Sequence, residues 1–114
     1  MSKRETKLLL EDIAEAITHI QNYTDNISFD KFAEKGMLYE ATLWNFGIIG
    51  EAVSQTPSDY KLLHPEIEWV KIKDYRNILI HEYFGVNDLI VWDTIKFDLP
   101  DLKEKILQLL EAYK

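Results

Sequence analysis

In the stretch Arg76-Asn77-Ile78-Leu79-Ile80-His81-Glu82-Tyr83, a guanidinium, an imidazole and a phenol sit in an otherwise mostly apolar run. Arginine is scarce in this chain: Arg4 and Arg76 are the only two, against eleven lysines. A guanidinium is planar, permanently charged and bidentate towards phosphate, so lysine does not replace it where geometry matters. Histidine is the side chain whose ordinary proton affinity suits acid–base work near neutral pH. A fixed cation beside a proton carrier and a phenol suits chemistry on a phosphate. The same residues also suit a structural network. In that reading Arg76 pairs with Asp74 or Glu51, His81 sits near a helix end whose dipole favours its proton, and Tyr83 packs with its hydroxyl at the rim.

The elements that must position these groups read as helices. From about Lys3 to Tyr23, Leu9, Ile13, Ala16, Ile17 and Ile20 recur at three- and four-residue spacing, with acidic residues largely opposite. Asp30 is a candidate cap for a short turn holding Phe32 and Ala33, which Gly36 loosens or ends. A second long helix is expected from about Met37 to Val53. Its main stripe is read as Leu38, Ala41, Asn45, Ile48 and Ala52, widened by Met37, Trp44 and Phe46. Gly47 and Gly50 each cost such a helix roughly 1 kcal/mol relative to alanine, which points to another backbone approaching closely. Ser54 to Pro65 reads as a connection. A third helix is expected from near Glu66 to about Tyr83, stopped by Gly85, and a fourth from Asp88 to Phe97, capped by Asn87. Asp98-Leu99-Pro100-Asp101 restarts the chain into a last helix whose apolar side is Leu102, Ile106, Leu107, Leu109 and Leu110. The expectation is an all-α, up-down bundle of about four to five helices, forming one domain over residues 1–114.

On an ideal helix Arg76 and His81 lie about 140° apart around the axis and about 7.5 Å apart along it, so they do not share a face. Arg76 and Tyr83 return to nearly the same face two turns on. Arginine and histidine converge if the helix distorts ahead of Gly85, or if two copies of the helix meet across a dimer axis. The second arrangement is favoured, because two-fold dimers are the commonest oligomers.

The spacing Arg76-x4-His81-x-Tyr83 resembles the R-x4-H-x-Y signature of the HepT-like toxins, within the HEPN superfamily of helical ribonucleases. Further blocks match in order: Ile49-Gly50-Glu51-Ala52, His64-Pro65-Glu66-Ile67-x-Trp69, Tyr83-Phe84-Gly85-Val86, Val91-Trp92-Asp93-Thr94 and Asp98-Leu99-Pro100. The likeness runs from about Ile48 to Lys105. It implies a HEPN-like, homodimeric fold and a metal-independent endoribonuclease acting on tRNA or mRNA, the toxin of a type VII toxin–antitoxin pair. The partner it implies is an MntA-like nucleotidyltransferase antitoxin that silences the toxin by adenylylating Tyr83. Arg76 and His81 are then catalytic and Asn77 a polar helper. Glu68 stands where the family usually has proline, and Asp74-Tyr75 where small or apolar residues are common. The alternative is a non-catalytic helical adaptor, a substrate-binding subunit of a nucleotidyltransferase.

Composition narrows the field. Without cysteine there are no disulfides or thiolate metal sites, and His19, His64 and His81 lack metal-ligand spacing, so neither metal nor cofactor is expected. A net charge of −7 excludes a surface that grips nucleic acid everywhere, and RNA must be met at a local cationic site. No apolar run reaches membrane-span or signal-peptide length, which makes the cytoplasm the expected location. Trp44, Trp69 and Trp92 fall on apolar stripes and read as core.

Overall fold

The computed structural model describes residues 4–77 and 87–114. His81 and Tyr83 lie outside the described residues. Within them the chain is all α, with no strand. The helices are α1 (Thr6–Thr24), α2 (Phe29–Phe32), α3 (Met37–Gln55), α4 (Ser58–Leu63), α5 (Trp69–Lys73), α6 (Asp88–Asp93) and α7 (Leu99–Glu111). None of the helices described is long and apolar enough to cross a membrane.

α1 packs most extensively on α3 and also on α7, while α5 lies against α3. The core follows from these pairings. Leu9, Ile13, Ile17 and Ile20 of α1 meet Tyr39, Leu43, Phe46, Ile49 and Val53 of α3, with Leu99, Leu102 and Ile106 of α7 closing the layer. The expected stripe of α1 is the buried one. That of α3 is buried only in part: Asn45 and Ala52 of it are inside, as is Phe46, but the core also takes Tyr39, Leu43, Ile49 and Val53 and leaves Leu38 and Ile48 exposed. α3 is apolar on more than one side, so periodicity does not decide which side faces inward.

Other departures have local causes. Ser28, not Asp30, caps α2, its hydroxyl accepting from the Lys31 amide at 3.1 Å. The expected connection from Ser54 to Pro65 contains α4. Tyr60 of α4 packs at a tilt against His64, with ring centroids 4.4 Å apart, and the Trp69 indole donates to the His64 carbonyl at 2.9 Å. That bond holds the entry to α5, which begins at Trp69 rather than near Glu66. The expected third helix is also broken: Asp74 is a turn residue, and helix resumes at 75–77. Asn87 caps α6 as expected, accepting from the Leu89 amide at 2.9 Å. No break separates α6 from α7, because a π turn over Thr94–Asp98 carries the chain straight into Pro100 at the start of α7. Proline lacks the amide that an α-helical continuation needs, and a widened turn accommodates that loss.

Candidate active site

The site is built where residues 73–76 cross α3. A methyl group on Gly50 would stand 2.5 Å from the Arg76 backbone nitrogen, 2.9 Å from its Cγ and 3.0 Å from the Lys73 carbonyl. Only glycine fits, so its cost to the helix is offset by direct backbone contact, as its presence in an apolar helix suggests. One face of Tyr75 anchors this crossing from inside, packing edge-on against Phe46 with ring centroids 5.2 Å apart. Burial pushes the Tyr75 phenol well above its ordinary value, so it stays neutral.

With Tyr75 turned inward, Arg76 turns outward and stays about half exposed. Its Nη1 donates to Glu51 Oε2 at 3.0 Å and to Ser54 Oγ at 3.4 Å. Of the two acids that the sequence offers, Glu51 is therefore the partner and Asp74 is not. Asp74 instead accepts the Asn77 amide through its carbonyl at 2.9 Å. Gln55 donates to the other Glu51 oxygen at 3.1 Å. The Gln55 hydrogen bond holds the Glu51 carboxyl below its ordinary value; slight burial opposes this, and Arg76 adds to the lowering. Glu51 is accordingly an anion at neutral pH, and its bond to Arg76 is charge-assisted.

Beside this pair opens a cavity of about 450 Å³ whose wall includes Trp44, Gly47, Ile48, Glu51 and Arg76. Trp44 is 62% exposed, which corrects its expected place in the core. Trp69 is buried as expected, and Trp92, also expected in the core, is half-buried against it. Arg4, the second arginine, reaches the same cavity. It grips Asp12 with both ends of its fork, Nε to Oδ2 at 2.7 Å and Nη2 to Oδ1 at 2.9 Å. In the sequence Arg4 belongs to no motif, and only the scarcity of arginine marks it.

Of the sequence-derived site residues, the structure describes Arg76 and Asn77, both exposed and adjacent at the end of the crossing. What the described arrangement can do is hold an anion: a half-exposed guanidinium, fixed at its backbone by Gly50, bound to a carboxylate that a phosphate can displace. An all-α bundle with the R-x4-H spacing beginning at such a crossing is HEPN-like in class. The HepT-like ribonuclease family model matches residues 13–109, and the chain belongs to that family. Over 107 residues it is 45% identical to the "Probable ribonuclease HepT" of Thermococcus cleftensis, covering 94% of this chain and 97% of the relative. A Methanocaldococcus jannaschii protein described as a "Putative RNase" is 37% identical over 115 residues, covering 98% of this chain and 95% of its own. No solved structure matches the chain significantly.

Proposed function

We propose that this protein is a metal-independent endoribonuclease, the toxin of a type VII toxin–antitoxin pair, cleaving tRNA or mRNA. The observation that carries the reading is Arg76: backbone-locked by Gly50, half exposed at a cavity mouth, in a chain of the HepT-like ribonuclease family. RNA brings its own nucleophile. The 2′-oxygen attacks phosphorus, the bond from phosphorus to the 5′-oxygen breaks, and one proton leaves the 2′-hydroxyl while another reaches the departing 5′-oxygen. His81 carries a proton in this exchange, Arg76 stabilises charge growing on the phosphate, and Asn77 helps to hold it. Because Arg76 and His81 point apart on an ideal helix, the working unit is a homodimer, one domain per chain, whose sites draw on both copies. An MntA-like nucleotidyltransferase silences the enzyme by placing adenylate on Tyr83, where the added phosphate and bulk compete for Arg76.

One observation favours a second reading, the non-catalytic adaptor: Arg76 is engaged by Glu51, as in a purely structural pair. Cleavage of total RNA in the presence of a chelator separates the two. Under the enzyme reading His81→Ala and Arg76→Ala each lower the rate about 10²- to 10⁴-fold while circular dichroism is unchanged. An unmodified wild type that leaves RNA intact sinks it. Co-expression with the nucleotidyltransferase and intact-mass measurement tests the silencing step, and a Tyr83→Phe protein that is still silenced removes Tyr83 from it.

A further inference from the structure

Both arginines of the chain border one cavity, although they are far apart in sequence. Trp44 forms another part of its wall, with the indole largely in solvent. Gly47, one turn further along α3, lines the same cavity and adds no side chain of its own beside that indole. Ile48 continues the apolar surface towards Glu51 and Arg76. Among the described residues no aromatic ring or cation stacks on Trp44. The cavity volume of about 450 Å³ is in the range of small-molecule sites.

We propose that this cavity is a nucleotide subsite for RNA flanking the cleaved bond: a base stacks on Trp44, and Arg4 holds a backbone phosphate beyond the one at Arg76. The inference rests on the ribonuclease reading and deepens it. An exposed indole offers a face to every base and is indifferent to sequence. Arginine is the side chain that grips phosphate with a planar fork, and here two guanidiniums stand at one cavity instead of one.

The carboxylates now on those guanidiniums argue for RNA over a protein occupant. Arg4 with Asp12 and Arg76 with Glu51 are exposed pairs, open to exchange of a carboxylate for a phosphate. A protein segment that filled the cavity would have to bury both pairs, and charged residues are depleted from the centre of protein interfaces for that reason, whereas the second copy of the proposed homodimer need only reach the Arg76 edge. Two cations at one cavity also answer a difficulty set by the net charge of −7. RNA need not be attracted by the whole surface if contacts are concentrated here, although the facing Asp12 and Glu51 make affinity modest and salt-sensitive.

Binding of labelled, fully 2′-O-methylated oligonucleotides, which lack the nucleophile, tests the subsite on the full chain. Trp44→Ala weakens binding about tenfold for oligo-A and oligo-U alike, and Trp44→Phe, which keeps a ring face, recovers much of it. Arg4→Gln weakens binding and lowers the dependence of log affinity on log salt by about one phosphate's worth, a change that a merely structural residue does not produce. Unchanged affinity in Trp44→Ala and Arg4→Gln, with wild type still cleaving RNA, overturns the subsite and leaves the ribonuclease reading standing. A wild type that neither binds nor cleaves RNA overturns both. The subsite also falls if Trp44→Ala changes the oligomeric state in sedimentation, which makes the face a subunit contact. It falls too if AMP saturates the Trp44 fluorescence change while oligonucleotides do not compete, which makes it a site for free nucleotides.

Discussion

α3 has two faces with opposite fates. Tyr39, Leu43, Phe46, Ile49 and Val53 are buried, in a helix that packs chiefly on α1 and also on α5. Met37, Trp44 and Ile48 are as apolar but remain exposed, and along the same side the helix ends in Glu51 and Gln55. The inner face is closed by neighbours and contains little that can react. On the outer face a large ring lies beside a guanidinium, two carboxylates and an open volume. Hydrophobicity alone therefore does not separate core from site in this helix. What separates them is the company each residue keeps at the crossing with residues 73–76.

The largest effect that tests this contrast is on stability. Phe46→Ala, which empties a fully buried ring site, is expected to cost about 3–5 kcal/mol in denaturant unfolding. A loss below 1 kcal/mol breaks the distinction from the inner side. Next comes Gly50→Ala, where the new methyl overlaps the Arg76 backbone; overpacking of this kind costs about 1–3 kcal/mol. Its RNA cleavage should fall further than the residual folded fraction explains, because Arg76 is displaced. Activity that tracks folding alone dissociates Gly50 from the site.

Glu51→Gln is a smaller and more telling change. Exposed ion pairs are worth about 0–1 kcal/mol, so stability should scarcely move at neutral pH, while RNA affinity rises as Arg76 loses its competing anion. The sign with pH follows from the lowered carboxyl. Glu51 binds its proton less readily folded than unfolded, so its contribution is present above the ordinary glutamate value near 4.5 and is lost as pH falls through the lower folded value. Wild type and Glu51→Gln should therefore converge in stability in acid; a difference that persists there assigns the effect to something other than charge. Smallest of all, Trp44→Ser should change stability by no more than about 0.5 kcal/mol, since the indole is mostly in water already. A melting-temperature drop like that of Phe46→Ala shows the outer face to be structural after all.

These contrasts also mark how far the sequence could be read. α1 was legible because its apolar residues fill one stripe and its acids the other. α3 was legible as a helix, and Gly50 as a close approach, but not in its orientation, because Leu38, Trp44 and Ile48 compete with the true core positions for the same pattern. The same competition makes Trp44 read as core. The sequence offers Glu51 and Asp74 alike to Arg76, and the crossing at Gly50, which sets Arg76 beside Glu51, decides between them. Arg4 could not be placed at the site by spacing, since the fold that brings it to Arg76 is a tertiary fact. The break at 74 lies where Tyr75 packs on Phe46 and residues 73–76 cross Gly50, and the π turn at Thr94–Asp98 leads into Pro100; neither is a matter of periodicity.

Gly50 bears on how such a protein loses its activity by chance. Because every side chain larger than hydrogen collides with the backbone that carries Arg76, position 50 is expected, under the proposed function, to behave genetically like a member of the site while contributing no functional group to it. A selection for harmless variants of a toxic nuclease should recover substitutions there beside those at Arg76 and His81. Such variants keep every chemical group of the motif and lose only its placement.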